Sequence, residues 1–392
     1  MREQAGVSQA PPRPGTGEPE GSAVLGRYTS RTPAPPDDPL ETERLREALA
    51  ARTAHGYGAE RARELAPLAD RDAVSTRLEQ AAAVATDSEA GWPLPRVDLP
   101  EIRPQGEHAS VADSVLANPD LQAVRAFLAG AETVAADLVE RDSEALNGLG
   151  AALELPGDLI RHLDRILDPT GGLADGASEE LSRLRSRVRS LREQVRSRLE
   201  ELAGSNKLRG AVQEGGGVTQ RGGRYVLPIK AEHQSRVRGI VHAASGTGET
   251  GFIEPLETVA ANNELEQAEE AAHREEHRIR QLATRAVGRG AAELGALVDQ
   301  LGLLELLRAG ERLRNDLGGT VTPVGSGPSF DLAGLRHPLL SLDHGPDAVV
   351  PADLALGGEQ RCLVISGPNT GGKTVLLKAA GLVHWMAYCG LP

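Results

Sequence analysis

The chain has 392 residues, room for two or three domains, and with aromatics at only 2% its cores must rest on Leu, Val, Ala and Ile. A net charge of −13 excludes uniform electrostatic attraction to nucleic acid, so any polyanion must be met by a local reversal of charge. Cys362 and Cys389 form no disulfide or zinc pattern, and neither a signal-peptide stretch nor a run of about 18 apolar residues occurs, so the expectation is a cytoplasmic protein with no membrane contact.

Residues 1–37 carry seven prolines (Pro11, Pro12, Pro14, Pro19, Pro33, Pro35 and Pro36) and one aromatic, Tyr28. Such a segment buries too little apolar surface to offset its chain entropy, which predicts a disordered tail or a mis-assigned start. From Leu40 to about Leu167 the pattern turns helical, with Leu40, Leu45, Leu49, Leu65, Leu68 and Leu78 at amphipathic spacings and breaks at Gly91–Pro95 and Pro100–Gly106. His108 and His162 stand alone there and read as solvated or core-edge residues.

Leu181, Leu184, Val188, Leu191, Val195, Leu199 and Leu202 then step by three and four, a coiled-coil seam of about three heptads. A second seam runs Leu265, Ala268, Ala272, Ile279, Leu282 and Ala286, interrupted by Glu275. Two such helices around an insert predict an antiparallel pair carrying something at its tip, with alanines permitting close approach.

The insert, residues 212–255, has strand character at Tyr225–Ile229, Gly239–His242 and Gly251–Ile253, with glycine-rich turns between. Between Lys207 and His242 the charge reverses. Seven basic residues (Lys207, Arg209, Arg221, Arg224, Lys230, Arg236 and Arg238) face two acids, Glu214 and Glu232. Only four lysines occur in the whole chain and two of them fall here, so the patch fits a polyanion such as DNA or RNA, with a solvated hairpin face as the plainer alternative. Candidate contacts are Arg221, Arg224, Lys230, Arg236 and Arg238. His233 and His242 lack partners at metal-ligand spacing and read as surface or packing residues.

From about Thr320 glycine and proline punctuate short apolar runs. Arg361–Ser366 reads as a buried parallel strand. Gly367, Pro368, Asn369, Thr370, Gly371, Gly372, Lys373 and Thr374 follow, matching G-x-x-x-x-G-K-[ST], and Val375–Val383 reads as a helix. Glycines let the backbone wrap phosphate oxygens and the helix N-terminus adds partial positive charge. Lys373 would reach the β- and γ-phosphates of ATP, and the Thr374 hydroxyl would coordinate Mg²⁺.

The wording of this loop, with Asn369 and the paired glycines, resembles the MutS family of ABC-type ATPases, and Val375 after it looks like the type-two, Smr-bearing branch. Arg224–His233, Gly239–His242, Phe252–Pro255, Asn262–Leu265 and Leu335–Leu340 resemble other segments of that family, so the likeness covers roughly residues 40 to 392. The resemblance implies a mixed fold: a mainly α helical core with a long antiparallel coiled-coil lever and a β-rich clamp insert, followed by the start of an α/β P-loop (ABC-type) ATPase domain. The expected divisions are the tail at 1–37, helical core 38–177, lever helix 178–211, clamp 212–255, return helix and core 256–319, and an incomplete P-loop domain at 320–392. Phe252-Ile253-Glu254 spells the mismatch-reading motif, but it lies in the clamp and is not read as mismatch recognition.

What the resemblance implies for function is an ATP-dependent homodimeric clamp on branched DNA that suppresses recombination. An alternative partner is ribosomal RNA on collided ribosomes. Because Walker B, signature and Smr nuclease parts are not found before Pro392, the chain reads as a truncated fragment that binds ATP without a catalytic acid of its own. A non-enzymatic, self-associating coiled-coil protein is the third reading. By resemblance His337 lies near the nucleotide base; a structural role at a turn stands beside that.

Overall fold

Apolar residues recurring every three or four positions make this chain mainly helical, with a four-stranded antiparallel sheet and a separate two-stranded one. The computed structural model describes residues 38–213, 216–246, 248–367 and 372–392. The expected tail at 1–37 lies outside these, and so do Pro368, Asn369, Thr370 and Gly371 of the glycine-rich loop. Among the described residues no helix is long and apolar enough to cross a membrane.

In chain order the helices are α1 (Thr42–Ala50), α2 (Gly56–Arg63), α3 (Arg71–Glu89), α4 (Arg103–Ser110), α5 (Asn118–Val139), α6 (Glu144–Ala152), α7 (Gly157–Ile166) and α8 (Glu179–Gly204). Strands β1 (Thr219–Arg221), β2 (Arg224–Lys230), β3 (Gly239–Ala244) and β4 (Thr250–Pro255) come next, then α9 (Leu256–Arg289) and α10 (Ala291–Leu317). The chain continues through β5 (Phe330–Leu335), α11 (Pro338–His344), β6 (Ala352–Leu356) and α12 (Lys373–Tyr388). One compact unit comprises the described part of Met1–Arg96 with Asp137–Ala151 and Asp299–Pro392; the other comprises Val97–Ala136 and Ala152–Val298.

The larger apolar cluster of the first unit joins its first and last helices. Leu45 and Leu49 of α1, Leu306 and Leu313 of α10, and Leu382, Met386 and Cys389 at the end of α12 are all buried in it. A second cluster seats α12 on the small sheet, where Leu335, Leu354 and Ala379 are buried with Ile365 and Leu376 packed against them. The run Arg361–Ser366 departs from expectation: it forms no strand, and Val364 is 81% exposed. A parallel strand needs neighbours to take its N–H and C=O groups. The sheet nearest in sequence contains only the antiparallel pair β5–β6.

In the second unit α8 and α9 pack side by side, burying Val188 and Leu191 against Leu265 and Ala268. Their pairings run in opposite directions, from Ser178–Glu275 at one end to Arg187–Glu264 further along. Glu275, which interrupts the seam in sequence, accepts from the Ser178 hydroxyl at 2.7 Å and pairs with Arg278. The seam also shifts phase. Leu282 is 43% exposed while Ala283 and Val287 are buried, because after Ile279 the stripe advances in steps of four. The expected break at Pro100–Gly106 is partly a helix, since Pro104 stands in the first turn of α4, where a missing N–H costs nothing.

The sheet has order β1-β2-β4-β3, all antiparallel, with β1 and β3 at its edges. β1 joins β2 through Gly222 and Gly223, both at positive φ, the geometry a tight two-residue hairpin demands. One face, carrying Leu227, Ile229 and Ile253, packs with Val195 and Leu199 of α8.

Candidate functional site

Two groups of residues carry chemistry, one in each unit. In the first, α12 begins at Lys373, and its N-cap Gly372 holds the left-handed conformation (φ 78°, ψ 11°). Gly372 has no side chain to bond the first-turn N–H groups, so these point out of the helix end as donors for an anion. The Lys373 ammonium donates to the Gly367 carbonyl across the loop, and Thr374 is exposed. Lysine arm, hydroxyl and left-handed glycine therefore stand together and fit a Mg²⁺-bound triphosphate. The expected contacts Pro368, Asn369, Thr370 and Gly371 lie outside the described residues.

The same helix is held from behind by charge. Lys378 Nζ donates to Glu41 Oε1 at 2.8 Å, Arg44 bonds the other oxygen of Glu41 at 2.9 Å, and Arg44 also pairs with Asp343 at 3.0 Å. Glu41 adopts the left-handed region (φ 61°), a strained position for a residue with a Cβ, just ahead of α1. His337, at the start of α11, is 2% exposed. Burial is the main cause that brings its pKa down to about 4, so the ring is neutral. A nucleotide base could not stack on that ring without displacing what covers it.

A groove of about 510 Å³ lies along the other end of α12, between Phe330, Leu332, Leu356, Val383, His384 and Tyr388. Its lining includes neither lysine nor arginine. Burial raises the pKa of the Cys389 thiol to about 12, so it is an inert packing group, whereas Cys362 is exposed.

In the second unit the sheet separates the predicted basic residues. Arg224 turns inward, bonding Glu254 at 3.2 Å and Glu266 at 2.6 Å. Glu254 is fully buried, and two further groups reach its carboxylate: Asn262 Nδ2 donates to Oε1 at 2.8 Å, and His242 Nε2 lies 2.6 Å from Oε2. Asn262 also bonds both backbone groups of Tyr225, so one side chain ties α9 to β2 and β4 together. His242 thus has a role that its isolation in sequence concealed.

Arg221, Arg236 and Arg238 are exposed, and Lys230 is half-buried. Arg221 lies over the ring of Phe252, its guanidinium carbon 4.2 Å from the centroid. Among the described residues no cluster of three or more His, Cys, Asp or Glu could hold a metal ion. The knot around Glu254 was foreshadowed by one signal. Asn262 falls on the apolar phase of its helix, three residues before Leu265, where a polar side chain must find partners.

No protein-family model matches the chain. It is similar to the protein named Endonuclease MutS2 of Thermomicrobium roseum, with 36% identity over 371 residues that cover 90% of this chain and 46% of the relative. The Endonuclease MutS2 of Pelotomaculum thermopropionicum is 36% identical over 361 residues, 90% of this chain and 44% of the relative. That of Shouchella clausii is 31% identical over 358 residues, again 90% of this chain and 45% of the relative. The chain spans less than half the length of each of these relatives.

Proposed function

This chain belongs to the MutS2-type branch of the MutS family over the region it shares with those relatives, and on that premise we propose that it is the nucleotide- and nucleic-acid-binding part of an ATP-driven clamp. The observation that carries the nucleotide half is the pattern Gly367–Thr374 running directly into α12, with Gly372 in the left-handed conformation at its start. Lys373 and the backbone N–H groups of the loop hold the phosphates, and Thr374 orients the Mg²⁺ that accompanies them. Hydrolysis of the bound ATP supplies the energy for arm movement. In this reading α8 and α9 are the arms, β1–β4 the clamp, and a homodimer closes around branched DNA to suppress recombination. No hydrolytic or nuclease residue is assigned to this chain.

What supports the nucleic-acid half is that Arg221, Arg236 and Arg238 are exposed on or beside the sheet of a protein whose net charge is −13 overall. The test for the nucleotide site is ATP affinity by calorimetry for the chain and its Lys373→Ala variant. The expected loss is at least about tenfold, the scale of one charge-assisted phosphate contact. Equal affinities would remove Lys373 from the site. The partner is tested by binding to junction DNA and by co-sedimentation with ribosomes at matched salt. Preference for ribosomes would replace branched DNA by ribosomal RNA.

A further inference from the structure

The register of the sheet decides which side chains share its second face, the one that also carries the inward-turned Arg224 and the buried Glu254. Arg221 pairs with Arg224 and Phe252 with Pro228, four residues along β2, so Arg221 and Phe252 stand on one face, opposite the Leu227–Ile229–Ile253 face that packs on α8. Ile240 pairs with Glu254, two residues from Phe252, and joins the same face while 45% exposed. Val241, next to it on the edge strand, is exposed as well. The guanidinium of Arg221 covers the Phe252 ring, and Arg221 as a whole is exposed to solvent.

Contacts to a phosphate backbone come from cations and hydrogen-bond donors and give no use to exposed apolar side chains beside them. A planar guanidinium backed by an aromatic ring and flanked by an isoleucine is instead suited to the flat face of a base. Arg236 and Arg238, both exposed just before β3, add cations for the phosphates of the same ligand. We propose that the Arg221–Phe252 stack is a platform for an unpaired base, making single-stranded nucleic acid the preferred ligand of this sheet. The proposal rests on the nucleic-acid reading above. Its plainer rival is that Arg221 merely shields Phe252 from water.

Lysine in place of arginine separates the two, because it keeps the charge and loses the plane. The full chain and its Arg221→Lys variant are titrated with a thymidine-rich single strand carrying one 2-aminopurine, with a duplex of equal length, and with an RNA strand of the same sequence. The expected result is tighter binding of the single strand than the duplex, with 2-aminopurine quenching on binding. In R221K single-strand affinity falls about tenfold, the low-to-middle range for loss of one stacked base, and the quenching is lost while duplex affinity stays. RNA that binds with the same sensitivity to R221K supports the platform and shows that it reads the base rather than the sugar. Unchanged single-strand affinity and quenching in R221K overturn the platform alone. Failure to bind any of the three ligands overturns the nucleic-acid reading and the platform with it.

Discussion

Glu254 is a carboxylate with no exposed surface, and its partners come from β2, β3 and α9, so its charge is stabilised only in the assembled unit. Breaking one partner leaves the others short. Asn262→Ala is expected to cost about 1–3 kcal/mol, the range for leaving buried polar groups unsatisfied, and urea denaturation checks it. A cost under about 0.5 kcal/mol would mean the knot is not fastening α9 to the sheet. His337 gives a second residue-scale expectation, this one in pH. The folded chain keeps it neutral down to about pH 4, whereas the unfolded chain takes up a proton near its ordinary value of 6.5. The unfolded state therefore binds more protons between those values. Its contribution is complete above pH 6.5 and is lost as pH falls toward 4, by up to about 3 kcal/mol. Melting curves across that window should slope more steeply for the parent than for His337→Phe; parallel slopes would contradict the assignment.

At the scale of elements, periodicity carried most of the information. The α8 seam is legible because Leu181, Leu184, Val188, Leu191, Val195 and Leu199 repeat without interruption, and all six are buried. The α9 seam is harder to read. Ala283 is a small residue that hides its burial, and the larger Leu282 beside it is exposed. Truncating both sides of the pair separates these readings. Leu191→Ala is expected to cost about 2–5 kcal/mol and Leu282→Ala within about 0.5 kcal/mol, by thermal denaturation. Comparable costs would restore Leu282 to the seam. Arg361–Ser366 shows the opposite limit, for an apolar run states a wish to be buried but not which strand will lie beside it. The candidate sites divide the same way. The glycine-rich pattern is local and readable, whereas the Arg224–Glu254 pair joins residues 30 positions apart and has no local signature. Short β1 escaped notice because three residues carry no period.

For the whole molecule the tension is between a net charge of −13 and the locally basic stretch from Lys207 to His242. A chain of this balance should bind nucleic acid only where cations cluster, and weakly at high salt. With Lys207, Arg209, Arg236 and Arg238 exposed, single-strand affinity should fall with salt at a log–log slope of about −3. A slope near zero would leave no room for phosphate contacts.

The interleaving of the two units also has a consequence in time. Val97–Ala136 and Ala152–Val298 complete one unit, while the core that needs Leu45 and Leu49 also needs Leu306, Leu313 and Leu382. On the ribosome α1 therefore waits, with its leucines uncovered, until the chain is nearly 390 residues long. At roughly 5–20 residues per second, the interval between the last residue of the second unit and the end of α12 is on the order of 5–20 s. During that interval the second unit can already be folded, and the helix that follows the glycine-rich loop is the piece whose arrival lets the first unit condense.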